Sequence, residues 1–458
     1  MNTSYQYDAL SRLLSVLHKR GATTIDGASY TVDAVGNRTA KTDLRGNGTS
    51  NYTYDAIYQL TQVVRGTTTR EAYTYDAVGN RLSSLGVSPY TYNSSNQLTS
   101  VQGANFTYDN NGNTQTTSFS SFMASGVWDF ENRLTSVTLP GGAVVSFKYD
   151  PFGRRIQKSS AAGTTIYVYD RDNLLEEVNG TGAVTARYTQ GLGIDEPLAM
   201  MRGGTTSYYE ADGLGSVTSL TSSTGAIAAS YAYDSFGNPI AATGAISNPF
   251  LYTAREFDLE TGLYYYRARY YDSTIGRFLS EDPLQYAGGR NFFVYVGSNP
   301  TNFLDPLGLK PCSLPIVPAD PKLRKAPKLT RCPSQDLVDC LIQTESGGNP
   351  NAVSPKGARG KMQVTPPAIA ELKQQSLIGD QYDLDQVGML YLKLLLTSCD
   401  STSNALAAYN AGPTAVNAAG GIPNIKETQD YVKKINACLE KKGVKGGVEG
   451  PNATICCQ

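Results

Sequence analysis

Glu345 follows Leu341 by one helical turn, in a stretch where Leu337, Val338, Leu341 and Ile342 recur at helical spacing. That spacing sets its carboxyl close to an apolar stripe. A carboxyl so placed keeps its proton to higher pH than one in water and can act as a general acid. An ordinary solvated Glu at a helix end fits the same position. A second constellation is the pair of aspartates in Asp282-Pro283 and Asp305-Pro-Leu-Gly-Leu309. Two carboxyls brought together in a dry cavity share a proton, so one can act as acid and the other as base. Asp-Pro and Pro-Leu-Gly are also plain turn formers. His18 is the only histidine. Residues 310–458 therefore hold no Ser/His or Cys/His nucleophilic pair and no imidazole ligand for zinc. No metal or cofactor is expected, and chemistry there falls to carboxylates, hydroxyls, thiols and lysines.

The elements that would carry these groups differ sharply on either side of residue 310. Residues 332–345 read as a helix, with Ser334 as N-cap, Asp336 in the first turn and Gly347-Gly348 as the stop. All seven cysteines (Cys312, Cys332, Cys340, Cys399, Cys438, Cys456 and Cys457) lie beyond residue 309, whereas all 13 Phe and the one Trp lie before it. Residues 1–309 hold 22 Lys and Arg against 27 Asp and Glu, net −5; residues 310–458 hold 17 against 13, net +4. The break marks two differently built units. The cysteines point to an oxidising destination and a stapled domain; their pairing is not legible, and Cys340 also reads as an ordinary buried thiol. Residues 310–331, with Lys310, Lys322, Arg324, Lys325, Lys328 and Arg331 among prolines, read as an extended linker. A net charge of −1 marks no nucleic-acid binder, and no run of about 18 apolar residues predicts a membrane span. Met1 to Leu14 lacks a charged segment followed by an apolar one, so no Sec signal peptide is expected.

The first 309 residues are repetitive. Aromatic-Asp pairs stand at Tyr54-Asp55, Tyr75-Asp76, Tyr108-Asp109, Trp128-Asp129, Tyr149-Asp150 and Tyr169-Asp170, 20 or 21 residues apart except for one interval of 33 that holds the degenerate Tyr92-Asn93. Turn residues and then Arg-Leu or similar follow, as in Asn80-Arg81-Leu82 and Asn132-Arg133-Leu134. This is hairpin chemistry at fixed period and predicts a long, twisting antiparallel sheet. The stretch resembles the YD repeats of the Rhs and toxin-complex families. From about Gly191 it resembles the Rhs-associated core, through Asp212-Gly-Leu-Gly-Ser216, Tyr233-Asp-Ser-Phe-Gly237 and Tyr264-Tyr-Tyr-Arg-Ala-Arg-Tyr-Tyr-Asp272. The resemblance implies a hollow shell around a variable C-terminal toxin. It also implies self-cleavage by Asp282 and Asp305 between Leu309 and Lys310. The chain is shorter than a full shell and starts within a repeat, so a fragment or an open shell is expected.

Beyond Glu345-Ser-Gly-Gly-Asn-Pro350 come Ser354-Pro-Lys-Gly357-Ala-Arg-Gly360-Lys-Met362-Gln363, then Ala405-Leu-Ala-Ala-Tyr409-Asn410-Ala-Gly412, then Glu427-Thr-Gln-Asp-Tyr431. In that order these are similar to the soluble lytic transglycosylases, of goose-lysozyme-like fold. Carried over, Glu345 is the catalytic acid/base and Ser354 assists near the leaving sugar. Met362 and Gln363 line the groove, Tyr409 and Asn410 hold the sugar and position Glu345, and Glu427 and Tyr431 support the site. Met362 as plain core and Tyr431 as a packing ring remain open. Lys361 departs from the family pattern, where an apolar residue is usual. Hydrolytic glycosidases generally need two carboxylates, whereas a lytic transglycosylase needs one. Asp383 and Asp385 keep a hydrolytic muramidase open, and a binding domain on a structural shell is the non-enzymatic alternative. A tool for the producer's own wall is disfavoured by the Rhs core.

The expectation is thus a multidomain protein, an all-β YD-repeat shell followed by a mainly α, lysozyme-like domain. Its parts are the repeat sheet (1–190), the core with the self-cleavage motif (191–309), the linker (310–331) and a transglycosylase-like toxin domain (332–458). The implied partners are peptidoglycan, a cognate immunity protein and type VI delivery components, and the implied site of action is a target cell's periplasm.

Overall fold

The computed structural model describes residues 2–309 except 47, 120–122, 192 and 288; residues 312–313; and residues 333–444 except 356, 375–383 and 399–400. The chain divides into two compact units, Met1–Val317 and Pro318–Gln458. Of the expected linker only Cys312–Ser313 is described, and it is a short strand paired with Phe303–Leu304.

The first unit is mainly antiparallel sheet. One sheet has eight strands in sequence order from Asn2–Tyr7 to Arg81–Ser84; another has sixteen, again consecutive, from Tyr90–Tyr92 to Pro239–Thr243. The aromatic-Asp repeat explains this meander. From Asp55 to Asp150 each repeat Asp caps the turn after its strand: Asp76 Oδ1 accepts from the backbone N–H of Val78 and Asn80, both at 2.9 Å, and Asp109 does the same for Asn111 and Asn113, whereas Asp170 lies within its strand and pairs with Asn173. The turn needs one left-handed residue, supplied by Gly79 (φ 85°) in one repeat and Asn132 (φ 60°) in another. The tyrosine reaches over the sheet. Tyr75 donates to the Leu60 carbonyl at 2.8 Å, and Tyr108 to that of Leu98 at 3.0 Å. Those two leucines are fully buried. These repeats thus fix a turn and tie themselves to the one before. His18 joins the two sheets, with Nε2 on the Ala211 carbonyl and Nδ1 beside Glu210, both at 2.8 Å.

The Tyr-rich segment of the core forms a hairpin, Leu263–Tyr266 against Arg269–Asp272, whose residues are all buried or nearly so. Alternation sorts its rings by face. Tyr264, Tyr266 and Tyr271 pack with Phe278 and Tyr295, while Tyr265 and Tyr270 pack with Phe147 and Leu263.

The second unit is helical: α1 (Gln335–Ser346), α2 (Pro366–Gln374), α3 (Leu384–Ser398), α4 (Thr402–Ala411), α5 (Pro413–Ala419) and α6 (Lys426–Lys441). Helix α1 starts three residues later than the sequence pattern suggested. Ser334 Oγ accepts from the Leu337 N–H at 3.2 Å and fixes the boundary, while Gly347 ends the helix in the left-handed region. The apolar stripe of α1 enters one core with Leu392, Leu395, Leu406, Val432 and Ile435. Cys340, fully buried in that core, is disulfide-bonded to Cys438 of α6. Of the two readings open for Cys340, the staple is the one observed.

Candidate active site

Glu345 lies in the last turn of α1, half-buried at the edge of this core. Burial pushes its carboxyl from the ordinary 4.5 up to about 7, and a hydrogen bond from Tyr431 pulls the other way. The Tyr431 hydroxyl, on α6, donates to Glu345 Oε1 at 2.6 Å. Burial first, and then the nearby Glu345 charge, hold the Tyr431 phenol well above its usual range, so it stays a donor. Tyr409 on α4 is raised by the same two causes in the same order. Its ring packs against Tyr391 with centroids 5.6 Å apart, and its hydroxyl donates to the Met362 carbonyl at 2.9 Å. Two buried phenols thus lie near one half-buried carboxyl whose pKa is raised toward neutrality.

Asn410, next along α4, is oriented from α6. The Thr428 hydroxyl donates to its Oδ1 at 2.8 Å, and Thr428 is 1% exposed. The carbonyl end of the amide is therefore fixed inward, and the two N–H donors face the other way. Thr428 and Tyr431 are three residues apart on α6 and share a face, so one helix orients both Asn410 and Glu345.

The loop after α1 is held by its own polar side chains. Gln363, in the left-handed region (φ 47°), donates from Nε2 to the carbonyls of Ala352 (3.1 Å) and Gly360 (2.8 Å). Ser354 Oγ accepts from the Ala358 N–H at 3.0 Å. Ser346, beside Glu345, donates to the Lys361 carbonyl at 2.7 Å and ties the loop back to α1.

Several expected roles change accordingly. Met362 does not line a groove with its side chain: it is 1% exposed, against Gly388 in the core, and only its carbonyl meets Tyr409. Ser354 and the Gln363 amide donors are engaged within the loop. Glu427 is exposed in the first turn of α6, one turn before Tyr431, where the helix dipole favours a carboxylate. Asp383 lies outside the described residues, as does the side chain of Asp385. Thr428 and Ser346 were not singled out from sequence. The i, i+3 spacing of Thr428 with Tyr431 was the available signal.

The first unit contains the second constellation. Asp282 and Asp305 are 5% and 2% exposed. Both lie on one guanidinium, Arg269 Nη2, at 3.0 Å and 3.5 Å. Burial raises the Asp282 carboxyl, and Arg269 opposes that rise. The segment Pro306–Gly308 runs along Arg267-Ala268-Arg269. Arg267 donates to the Pro306 carbonyl, the Ala268 N–H to that of Leu307 at 3.1 Å, and Arg269 Nε to that of Gly308. Gly308 (φ 69°) is required there, since a Cβ would lie 2.3 Å from the Tyr266 carbonyl oxygen. The Leu309 N–H donates to Asp305 Oδ1 at 2.9 Å. Lys310 lies outside the described residues.

Comparison with known proteins covers both units. The Teneurin YD-shell family model matches residues 44–296, and the Transglycosylase SLT domain model matches residues 325–432. The tRNA3(Ser)-specific nuclease WapA of Bacillus spizizenii is 37% identical over 273 residues, 56% of this chain and 12% of that protein. The Double-stranded DNA deaminase toxin A of Burkholderia cenocepacia is 27% identical over 318 residues, 61% of this chain and 22% of that protein. The chain thus spans between about an eighth and a fifth of the length of these relatives. The crystal structure of TcdB2-TccC3 superposes with a TM-score of 0.56 at 24% identity, over 67% of this chain and 18% of that one, a likeness of fold.

Proposed function

This chain belongs to the Teneurin YD-shell family and carries a transglycosylase SLT domain, and from that premise we propose that its C-terminal unit is a peptidoglycan lytic transglycosylase delivered as an antibacterial toxin. The single observation that carries the reading is Glu345, half-buried, held by Tyr431 and poised to be protonated or ionised near neutrality. A general acid that must later serve as base works best when its pKa lies near the working pH. Protonated Glu345 gives its proton to the oxygen that links N-acetylmuramic acid to N-acetylglucosamine, and the C1–O bond breaks. The resulting carboxylate takes the proton of the muramic C6 hydroxyl as its oxygen bonds to C1. The product is a 1,6-anhydro end, with no water consumed. Asn410 offers its N–H donors to sugar oxygens from an orientation set by Thr428.

The test is mass spectrometry of sacculi digested by the full chain beside Glu345→Gln. Anhydro-muropeptides from the wild type alone are expected. Reducing-end products would mean hydrolysis with a second carboxylate, and no release by either protein would leave murein binding without cutting.

The Asp282–Arg269–Asp305 cluster supports a second activity in the same reading, cleavage of the chain after Leu309. One carboxyl would activate water against the Leu309 carbonyl while the other protonates the departing Lys310 nitrogen. Intact mass of the purified chain should show two pieces that divide at that bond, and a single full-length mass would refute it. A murein-cutting toxin implies an immunity protein that covers Glu345 in the producer, type VI components for delivery, and the target's periplasm as its place of action.

A further inference from the structure

The same two helices are joined twice. The Tyr431 hydroxyl meets Glu345 at 2.6 Å, and the Cys438 sulfur is bonded to that of Cys340. Cys340 precedes Glu345 by five residues and Cys438 follows Tyr431 by seven, so α1 and α6 run in opposite senses. The disulfide then sits about 7–10 Å along the helix axes from the catalytic pair. Beyond it Leu337 and Leu439 belong to the shared core, and an exposed ion cluster, Lys442 with Asp336 and Asp339 at 3.0 and 3.1 Å, adds little in water. Thr428, which orients Asn410, is on α6 as well.

We propose that the Cys340–Cys438 disulfide is a redox latch on the active site, closed in an oxidising compartment and open in a reducing one. The inference rests on the transglycosylase reading for its consequence, and on the geometry of α1 and α6 for its existence. Closed, the bond holds α6 in the register at which Tyr431 meets Glu345. Open, the domain keeps its fold on the remaining core, because a buried thiol packs as a small apolar group, but α6 is no longer held to better than an ångström. Cys340 is fully buried and Cys438 half-buried, so exchange starts at the Cys438 sulfur. Closing the latch takes two electrons and two protons from the two thiols. A small-molecule disulfide such as oxidised glutathione accepts them and leaves as two thiols. The device would keep the enzyme silent in the reducing cytoplasm of its producer and active in a periplasm.

The experiment uses the full chain equilibrated in glutathione buffers of graded ratio, with thiol labelling to count the Cys340 and Cys438 thiols. Three quantities are followed: anhydro-muropeptide release, helical circular dichroism, and the 13C titration of the Glu345 carboxyl, assigned with Glu345→Gln. Reduction should lower the release rate by about ten- to a hundredfold with helicity retained. It should also raise the midpoint of the Glu345 titration, because the Tyr431 bond that lowers it is weakened. The double variant Cys340→Ala, Cys438→Ala should match reduced wild type and ignore the buffer, which separates this pair from the other cysteines. Equal rates in both states overturn the latch, as does a loss of activity that only tracks loss of helicity. If the oxidised chain releases nothing from sacculi, the transglycosylase reading falls. The latch is then decided by the Glu345 titration, and a redox-independent midpoint overturns it.

Discussion

At Glu345 burial and the Tyr431 hydroxyl pull the proton in opposite directions. Tyr431→Phe deletes the bond that lowers the carboxyl, so the Glu345 midpoint should rise above about 7 and the alkaline limb of the pH–rate profile should shift upward with it. An unmoved limb would place the rate-limiting titration elsewhere. The buried carboxyl also has a cost. Its folded pKa lies above the unfolded value, so between pH 4.5 and about 7 the folded state binds more protons, and stability falls as pH rises through that window. Glu345→Gln should therefore be more stable than wild type at pH 8, by on the order of 2 kcal/mol, and equal to it near pH 4. Denaturant midpoints at the two pH values measure this. Leu341 one turn earlier placed the carboxyl close to an apolar stripe, so the rise at Glu345 was one of two readings open from position, a solvated helix-end Glu being the other. The partner hydroxyl was known only through resemblance, since it comes from 86 residues away in sequence.

Elements decide which polar groups are available to work. Helix α6 orients Asn410 through a hydroxyl that is itself out of water, so Thr428→Val removes the bond with little change of shape, while Thr428→Ser keeps it. The valine variant should lose about tenfold in kcat/KM, mostly in KM if Asn410 binds ground-state sugar, and serine should restore it. A valine variant of wild-type kinetics would show that Asn410 needs no orientation. In the sheet, the repeat was readable as turns at fixed period because the Asp of the repeats from Asp55 to Asp150 satisfies backbone donors two and four residues ahead, a purely local device. Asp76→Ala should cost about 1 kcal/mol in thermal or urea denaturation. The pairing of Cys340 with Cys438 was not readable. It depends on how α1 packs on α6, and five other cysteines were equally eligible on composition alone.

Over the whole molecule, composition had already divided the chain near residue 310, where acidic, aromatic-rich sheet gives way to basic, cysteine-bearing helix. What sequence did not reveal is how the proposed cut at that border would be organised. Asp282 and Asp305 were visible as a pair, but Arg269, which joins them, looked like one more residue of a Tyr-rich hairpin. The structure gives it three tasks. It pairs with both carboxyls, donates to the Gly308 carbonyl just before the bond in question, and donates to the Phe292 carbonyl at 2.8 Å. Arg269→Met removes the cation that both buried carboxyls share, a change on the order of 3–5 kcal/mol, and removes the Arg269 bond to the Gly308 carbonyl. The chain should then stay whole by intact mass and melt earlier. Arg269→Lys keeps the charge and loses the planar fork, so the carboxyls stay compensated while Pro306–Gly308 loses its register. Near-wild-type melting with slow cleavage is expected. Asp305→Asn should leave the chain uncut, because the Leu309 N–H then meets an amide in place of a carboxylate and no second carboxyl remains to exchange the proton. If Arg269→Met divides at Leu309 as fast as wild type, the cluster is a buried structural ion pair, and the border near residue 310 is one of composition alone.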